Sequence, residues 1–347
     1  MNAGCSLARR AAPVLVLARA CLLAAVPGIA AAEPVADAAA APIEVASDVW
    51  LVPGSMTSDR EPDGNTVVID APQGLVVVDT GRHAWHRDAI VSLARERRQD
   101  IVAIVNTHWH LDHVSGNPAL RETYPKLRVY ASNAIDDALA GFLARSVRES
   151  AEYLQDESIP APMREDIAAD AATVADGQAL RPDIVIEQTG PQDVGGRTID
   201  FHLASDAVTA GDVWLYDPRS KVAVLGDLVT LPAPLLDTAC PQGWLAALEE
   251  VERTEFQVAI PGHGGPMGRA QVALYRNALS AFVACAASNE AKAECSARWL
   301  EEVDPLLSGA ADEAARAQTL TNYYVDMLRA NGGRSEYCRA RAADAGP

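Results

Sequence analysis

Residues 106–116 read NTHWHLDHVSG, and they constrain this chain more than any other stretch. Three histidines and an aspartate fall within six positions: His108, His110, Asp112 and His113. The chain has only 7 histidines in 347 residues, so three in one loop set it apart from an incidental polar surface. Residues 101–105, just before it, are apolar and largely β-branched and read as a buried strand. The four polar side chains then follow the strand's carboxyl end, where α/β proteins place their chemistry. Imidazole nitrogen and carboxylate oxygen are the usual ligands of zinc and similar ions. On an extended loop, alternation points His108 and His110 the same way and leaves Asp112 and His113 to serve a neighbouring point.

Two later strands carry matching groups. Asp227 follows a glycine at the end of the apolar run 222–225, and His263 stands in the same position after 258–260. Each is a weak indication alone. Together with the histidine loop they put carboxylates and imidazoles at several strand ends, as a two-metal site requires. A carboxylate such as Asp227 can bridge two cations and reduce their repulsion, and cations so held lower the pKa of bound water.

The rest of the chain sets the frame. Its length allows one large α/β domain or two small ones. Residues 1–32 carry Arg9 and Arg10, then an Ala/Leu/Val-rich run ending in three alanines, and read as a cleaved export segment. Cleavage removes three arginines and no acid, taking the net charge from −18 to about −21. Bulk charge of that sign excludes nucleic acid and anionic membrane as partners and leaves a small-molecule substrate. No other stretch approaches the length of a membrane span. Oligomeric state is not legible. The expected location is periplasmic or secreted. There, Cys240, Cys285, Cys295 and Cys338 are expected to form two disulfides rather than stay free buried thiols; of three possible connectivities, the preferred one pairs the near neighbours Cys285 and Cys295 and leaves Cys240 to Cys338.

Residues 33–43 are expected to be a flexible lead-in. Strands are expected at 48–52, 66–69, 75–78, 101–105, 127–131, 183–187, 197–203, 211–216, 221–225 and 257–260. Residues 134–180 interrupt this order with two helical patterns, a hairpin placed over or beside the active site. The body of the fold runs from 44 to 268, and 269–347 form a helical extension.

These motifs, in this order, resemble the metallo-β-lactamase-fold hydrolase superfamily. The resemblance rests on Asp79-Thr80-Gly81, His108-x-His110-x-Asp112-His113, Gly226-Asp227 and Pro261-Gly262-His263-Gly264. It implies an α/β fold, a four-layer αββα sandwich with the metals at one edge, here with the helical insertion and C-terminal helical extension. It implies that His108 and His110 bind a first metal, that Asp112, His113 and His263 bind a second, and that Asp227 bridges them. Asp79 is expected to support the metal loop from behind. Asp112 is the expected catalytic group, holding water or passing its proton to a leaving group. An aspartate at 227 is similar to glyoxalase II-like members rather than to β-lactamases. The export segment together with the motifs around Gly226 and Gly262 resembles the periplasmic branch found beside quinoprotein dehydrogenase and sulfur-oxidation systems.

One ligand of the pattern is absent. Val208 stands where a third histidine of the first metal is expected, and valine cannot ligate. The preferred expectation is that the first metal is weak or absent, leaving one metal at Asp112, His113, His263 and Asp227. Otherwise Asp206, ahead of His202, could substitute from the same segment, or His83 or His86 from the loop after Asp79. The cofactor is zinc, one or two ions, with a single iron as the alternative. Trp109 and Trp214 are candidates for the pocket wall or for ordinary packing. The function expected is an exported metal-dependent hydrolase, using a metal-bound hydroxide on an ester-, thioester- or lactam-like centre. The alternatives are an accessory binding protein with an impaired site and a mononuclear-iron persulfide-type oxygenase.

Overall fold

The structure, a computed structural model, describes residues 40–338. The expected export segment lies outside the described residues. The chain builds two sheets. In the first, β1 (Ile43–Ala46), β2 (Val49–Val52), β3 (Thr66–Ala71) and β4 (Gly74–Val78) form an antiparallel meander. Strands β5 (Ile101–Val105), β6 (Arg128–Ala131) and β7 (Ile184–Val185) extend it in parallel, in the order β1 to β7. In the second, β8 (Gly190–Val194), β9 (Arg197–Ala204), β10 (Asp212–Asp217) and β11 (Val222–Thr230) are antiparallel neighbours. Strand β12 (Val258–His263) closes that sheet, parallel to β11.

The apolar runs are continuous because both faces of each sheet are covered. In β4, Val76 and Val78 join a core between the sheets, while Leu75 and Val77 join the core on the outer face. In β11, Val222 and Val224 face the inner core and Ala223 and Leu225 the outer one. Helices α1 (Ala84–Arg97), α2 (Leu111–Val114) and α3 (Asn117–Thr123) belong to the first sheet's half, and α1 and α3 cover its outer face. Helices α4 (Ala134–Ala140), α5 (Phe142–Tyr153) and α6 (Ala161–Ala175) form the insertion. Helices α7 (Pro241–Arg253), α8 (Arg269–Ala286), α9 (Lys292–Val303) and α10 (Glu313–Ala330) cover the second sheet. The layers are therefore αββα, as expected.

Four details differ from the sequence reading. The sheet begins at Ile43, the last residue of the expected lead-in, with β1, a strand not expected ahead of 48–52. Strand β8 was not expected, because its Gly190 and Pro191 have poor strand propensity. It pairs with β9 through a turn whose Gly195 and Gly196 both take positive φ, the conformation a tight hairpin needs. Strand β11 continues through Asp227 to Thr230, so this aspartate sits inside an irregular strand rather than after one. The first insertion helix breaks in two at Gly141.

The C-terminal helices brace the site-bearing strand. The Trp244 indole N–H donates to Leu228 O at 2.8 Å, and the Trp299 indole N–H donates to Pro232 O at 2.8 Å. Both expected disulfides form, Cys285–Cys295 between α8 and α9, and Cys240–Cys338 from the residue before α7 to the end of the described chain.

Candidate metal centre

The edge where β4, β5, β11 and β12 end gathers all the expected ligands. Backbone N–H of Thr107 donates to Asp79 Oδ1 at 2.8 Å, which fixes the loop after β5 against the loop after β4. His108 lies in the bend after β5, and His110 has extended backbone just before α2. Asp112 and His113 lie on the single helical turn α2 rather than on an extended loop, and that turn rotates them toward a second point. Two glycines let the strands close up. A Cβ on Gly262 would meet Asp227 Oδ1 at 1.9 Å. A Cβ on Gly226, whose φ is 52°, would meet Thr107 Oγ1 at 2.5 Å.

Two groups of donors result, sharing Asp227. His108 Nε2 lies 3.5 Å and His110 Nδ1 3.9 Å from Asp227 Oδ2. On the other side, His113 Nε2 lies 3.1 Å and His263 Nε2 3.6 Å from Asp227 Oδ1. Asp112 Oδ2 completes that side, 3.0 Å from His263 Nε2 and 3.6 Å from His113 Nε2. Each group is compact enough to hold one ion.

Hydrogen bonds behind the rings set the tautomers. The Thr107 hydroxyl has one proton and gives it to Asp79 Oδ2 at 2.7 Å, so at 2.9 Å it accepts from His108 Nδ1–H. That leaves the His108 Nε2 lone pair facing Asp227. His113 Nδ1–H donates to Asp79 Oδ2 at 2.8 Å, and its Nε2 is the inward atom. The Thr238 hydroxyl donates to Val208 O at 2.8 Å, so at 3.1 Å it accepts from His110 Nε2–H and leaves Nδ1 as the inward atom. Each arrangement presents an imidazole lone pair to the space around Asp227.

The same space leaves buried polar atoms unmatched. Both Asp227 carboxylate oxygens and His108 Nε2 are fully buried without a hydrogen-bond partner. A buried ionised carboxylate in that condition costs several kcal/mol unless a cation compensates it. Burial works against a charge on His113, yet Asp227, Asp112 and Asp79 around it drive its pKa well above the ordinary value. Burial likewise opposes the Asp112 carboxylate, but His113 and His263 hold its pKa well below the usual range. The ligand set thus calls for positive charge, and metal ions of the zinc type fit its nitrogen and oxygen donors.

The structure does not bring in the substitutes for Val208. His202 stacks on Trp214 at 3.7 Å and pairs with Glu250 at 2.8 Å. Asp206 belongs to none of the donor groups, and its main chain packs against Gly243. His83 bonds Asp63 at 2.6 Å and lies 3.2 Å from Asp166. His86 bonds the Thr66 hydroxyl at 2.8 Å. Val208 itself is fully buried in the core under the C-terminal helices, and only its carbonyl reaches the site, through Thr238. Trp109 lines the pocket beside His110, whereas Trp214 is packed in the core.

Thr107, Thr238 and Arg82, which pairs with Asp170 in the wall of the pocket beside Asp112, were missed by sequence reasoning. Thr107 adjoins the histidine motif and Arg82 follows Asp79-Thr80-Gly81, so both could have been found from their neighbours. Thr238 lies 128 residues from His110 and left no local trace.

A layered αββα scaffold with paired histidine and carboxylate donors at one edge defines the class of protein. Residues 60–270 match the family model described as Metallo-beta-lactamase superfamily, and the chain belongs to that superfamily. It is 27% identical over 230 residues to the linear primary-alkylsulfatase of Pseudomonas sp. (strain ATCC 19151), a match that covers 59% of this chain and 42% of that protein. The chain therefore spans less than half the length of that relative. A shorter match, 43% identical over 63 residues, is to the hydroxyacylglutathione hydrolase of Gloeobacter violaceus, covering 18% of this chain and 23% of that one. Among solved structures it is similar to the stereoselective inverting sec-alkylsulfatase from Pseudomonas sp. The TM-score is 0.54 at 20% identity, covering 89% of this chain and 52% of that chain, which is a likeness of fold.

Proposed function

We propose that the protein is an exported metal-dependent hydrolase. The observation that carries this reading is the set of buried, unpartnered atoms on Asp227 and His108, with imidazole lone pairs turned toward them. His108, His110 and Asp227 would hold one ion, and Asp112, His113, His263 and Asp227 the other. Bound there, the metal would supply Lewis-acid charge and lower the pKa of water. The chain's own groups would do the rest. Asp112 also lies in the pocket wall beside His110, where it can orient a water and take its proton. Asp79 and Thr107 keep the rings in their tautomers. Candidate substrates are ester-, thioester- or lactam-like, and the similarity to alkylsulfatases supports testing sulfate esters beside them. Two disulfides support an oxidising, extracytoplasmic location.

Metal content and a substrate panel test the reading. The expected result is about two zinc per chain, with hydrolysis of at least one ester, thioester, lactam or sulfate ester. No metal after growth with added zinc would overturn it, and one iron per chain would favour the oxygenase. The three-donor first position, with Val208 in place of a ligand, specifically favours a second reading in which only the second position is filled. His110→Ala then leaves activity largely intact while His263→Ala abolishes it. Equal losses reject the one-metal version.

A further inference from the structure

Beside the metal centre lies a cavity of about 150 Å³ whose wall comes chiefly from the insertion. Phe142, Leu143 and Val147 of α5 and Ile167 and Val174 of α6 supply its apolar face, and Trp109 joins them from the histidine loop. His110 and Asp112 form the end nearest the metal centre. A group lodged in this cavity therefore abuts the ligands, and the insertion places it there.

Charge narrows the occupant. The polar side chains of the wall include Glu61, Asp112, Asp170 and Asp237 against a single arginine, Arg82. Arg82 is already engaged, in an ion pair with Asp170 and 4.0 Å from Glu61. Burial pushes the Glu61 carboxyl up to about 7, although Arg82 opposes the rise. Away from the metal end, an anionic substituent lodged against the insertion would meet Glu61, Asp170 and Asp237 and no unpaired arginine. Size narrows it further, since an apolar cavity of about 150 Å³ accepts a benzene-sized group.

We infer that this cavity binds an uncharged apolar substituent of the substrate, an alkyl or phenyl group of about six carbons. The insertion then acts as the specificity element of the hydrolase. The inference rests on the proposed hydrolase reading for its catalytic meaning, but the cavity can be tested without turnover.

The binding arm uses toluene as probe on the purified, zinc-loaded full chain, read by ligand-observed saturation-transfer NMR. Toluene should bind, and Ala171→Phe and Val147→Phe, which fill the cavity from α6 and α5, should abolish the effect while circular dichroism and metal content stay unchanged. Should both variants unfold, Phe142→Ala carries the test by admitting naphthalene, which the wild type rejects. The kinetic arm uses 4-nitrophenyl esters from acetyl to decanoyl. Each buried methylene is worth roughly fourfold in kcat/KM. The preference should climb to about hexanoyl and then stop, and Ala171→Phe should lower hexanoyl turnover at least tenfold while leaving acetyl turnover within about twofold.

No toluene binding, or binding that both filling variants leave untouched, overturns the inference, as does a flat chain-length profile. Toluene binding without hydrolysis of any substrate would leave the cavity assignment standing and sink the hydrolase reading. Hydrolysis without chain-length preference or toluene binding would do the reverse.

Discussion

Replacing Asp79 by asparagine isolates what the carboxylate behind the metal loop contributes. The exchange is isosteric, and the backbone does not confound it. Asp79 has φ 61°, a left-handed conformation that asparagine also tolerates. The carboxylate accepts three hydrogen bonds, from Thr107 N–H and the Thr107 hydroxyl at 2.8 and 2.7 Å and from His113 Nδ1–H at 2.8 Å. An amide has only one acceptor oxygen. In either orientation its NH₂ faces a buried donor, which costs about 1–3 kcal/mol of folding stability. The loss of negative charge behind His113 makes Nε2 a poorer ligand. Removing such a partner typically lowers metal affinity about 10–100-fold, or about 1.4–2.7 kcal/mol. Zinc affinity would be read by competition with a chromophoric chelator, and stability of the metal-free protein by urea unfolding. Asp63→Asn is the control. Asp63 is also buried and bonded to histidine, but that histidine, His83, is not in the ligand set, so stability should fall and zinc affinity hold. Asp79→Asn with zinc affinity within twofold of wild type would refute the tautomer argument.

Thr238→Val keeps shape but removes the acceptor for His110 Nε2–H. The weaker of two zinc-binding steps should lose about tenfold in affinity while the stronger is unchanged; loss in both would show that Thr238 does not act through His110. Burial opposes protonation of His83, but its bonds to Asp166 and Asp63 outweigh burial and raise its pKa from 6.5 to about 9. Its contribution to stability is thus fully present below pH 6.5 and lost as pH rises to about 9. Urea midpoints should decline across that window, and His83→Gln should flatten the decline. The Cys240–Cys338 bridge closes a separation of 98 residues and Cys285–Cys295 one of 10. Loop-closure entropy makes double alanine variants of the first pair less stable by about 5 kcal/mol and of the second by about 3 kcal/mol. Equal losses by calorimetry would show that entropy does not rank them.

The ligand loop was legible because its chemistry is local. His108, His110, Asp112 and His113 lie within six residues of one another, and the strand before them is a plain β-branched run. Asp227 and His263 were legible because each follows an apolar run of the sequence beside a glycine. Those glycines were motif letters in the sequence, and the structure gives them a cause in the close approach at Asp227. Strand β8 was missed because its edge position, not its propensity, makes it a strand.

By itself the sequence determined the donor types and their order and the two-sheet frame, and it favoured one of three cysteine pairings. Those follow from local patterns, from spacing along the chain and from a resemblance that the fold upheld. Tertiary structure alone decided which ring nitrogen faces inward, since that depends on Thr107, Asp79 and Thr238 meeting histidines across the fold. It alone decided that His83, His86, His202 and Asp206 stay out of the ligand set, each held by its own surroundings. It also set an insertion with no metal ligand against His110 and Asp112, making a cavity whose apolar wall no single segment encodes. Contacts of that kind join residues far apart in the chain, so they exist only once the layers have packed.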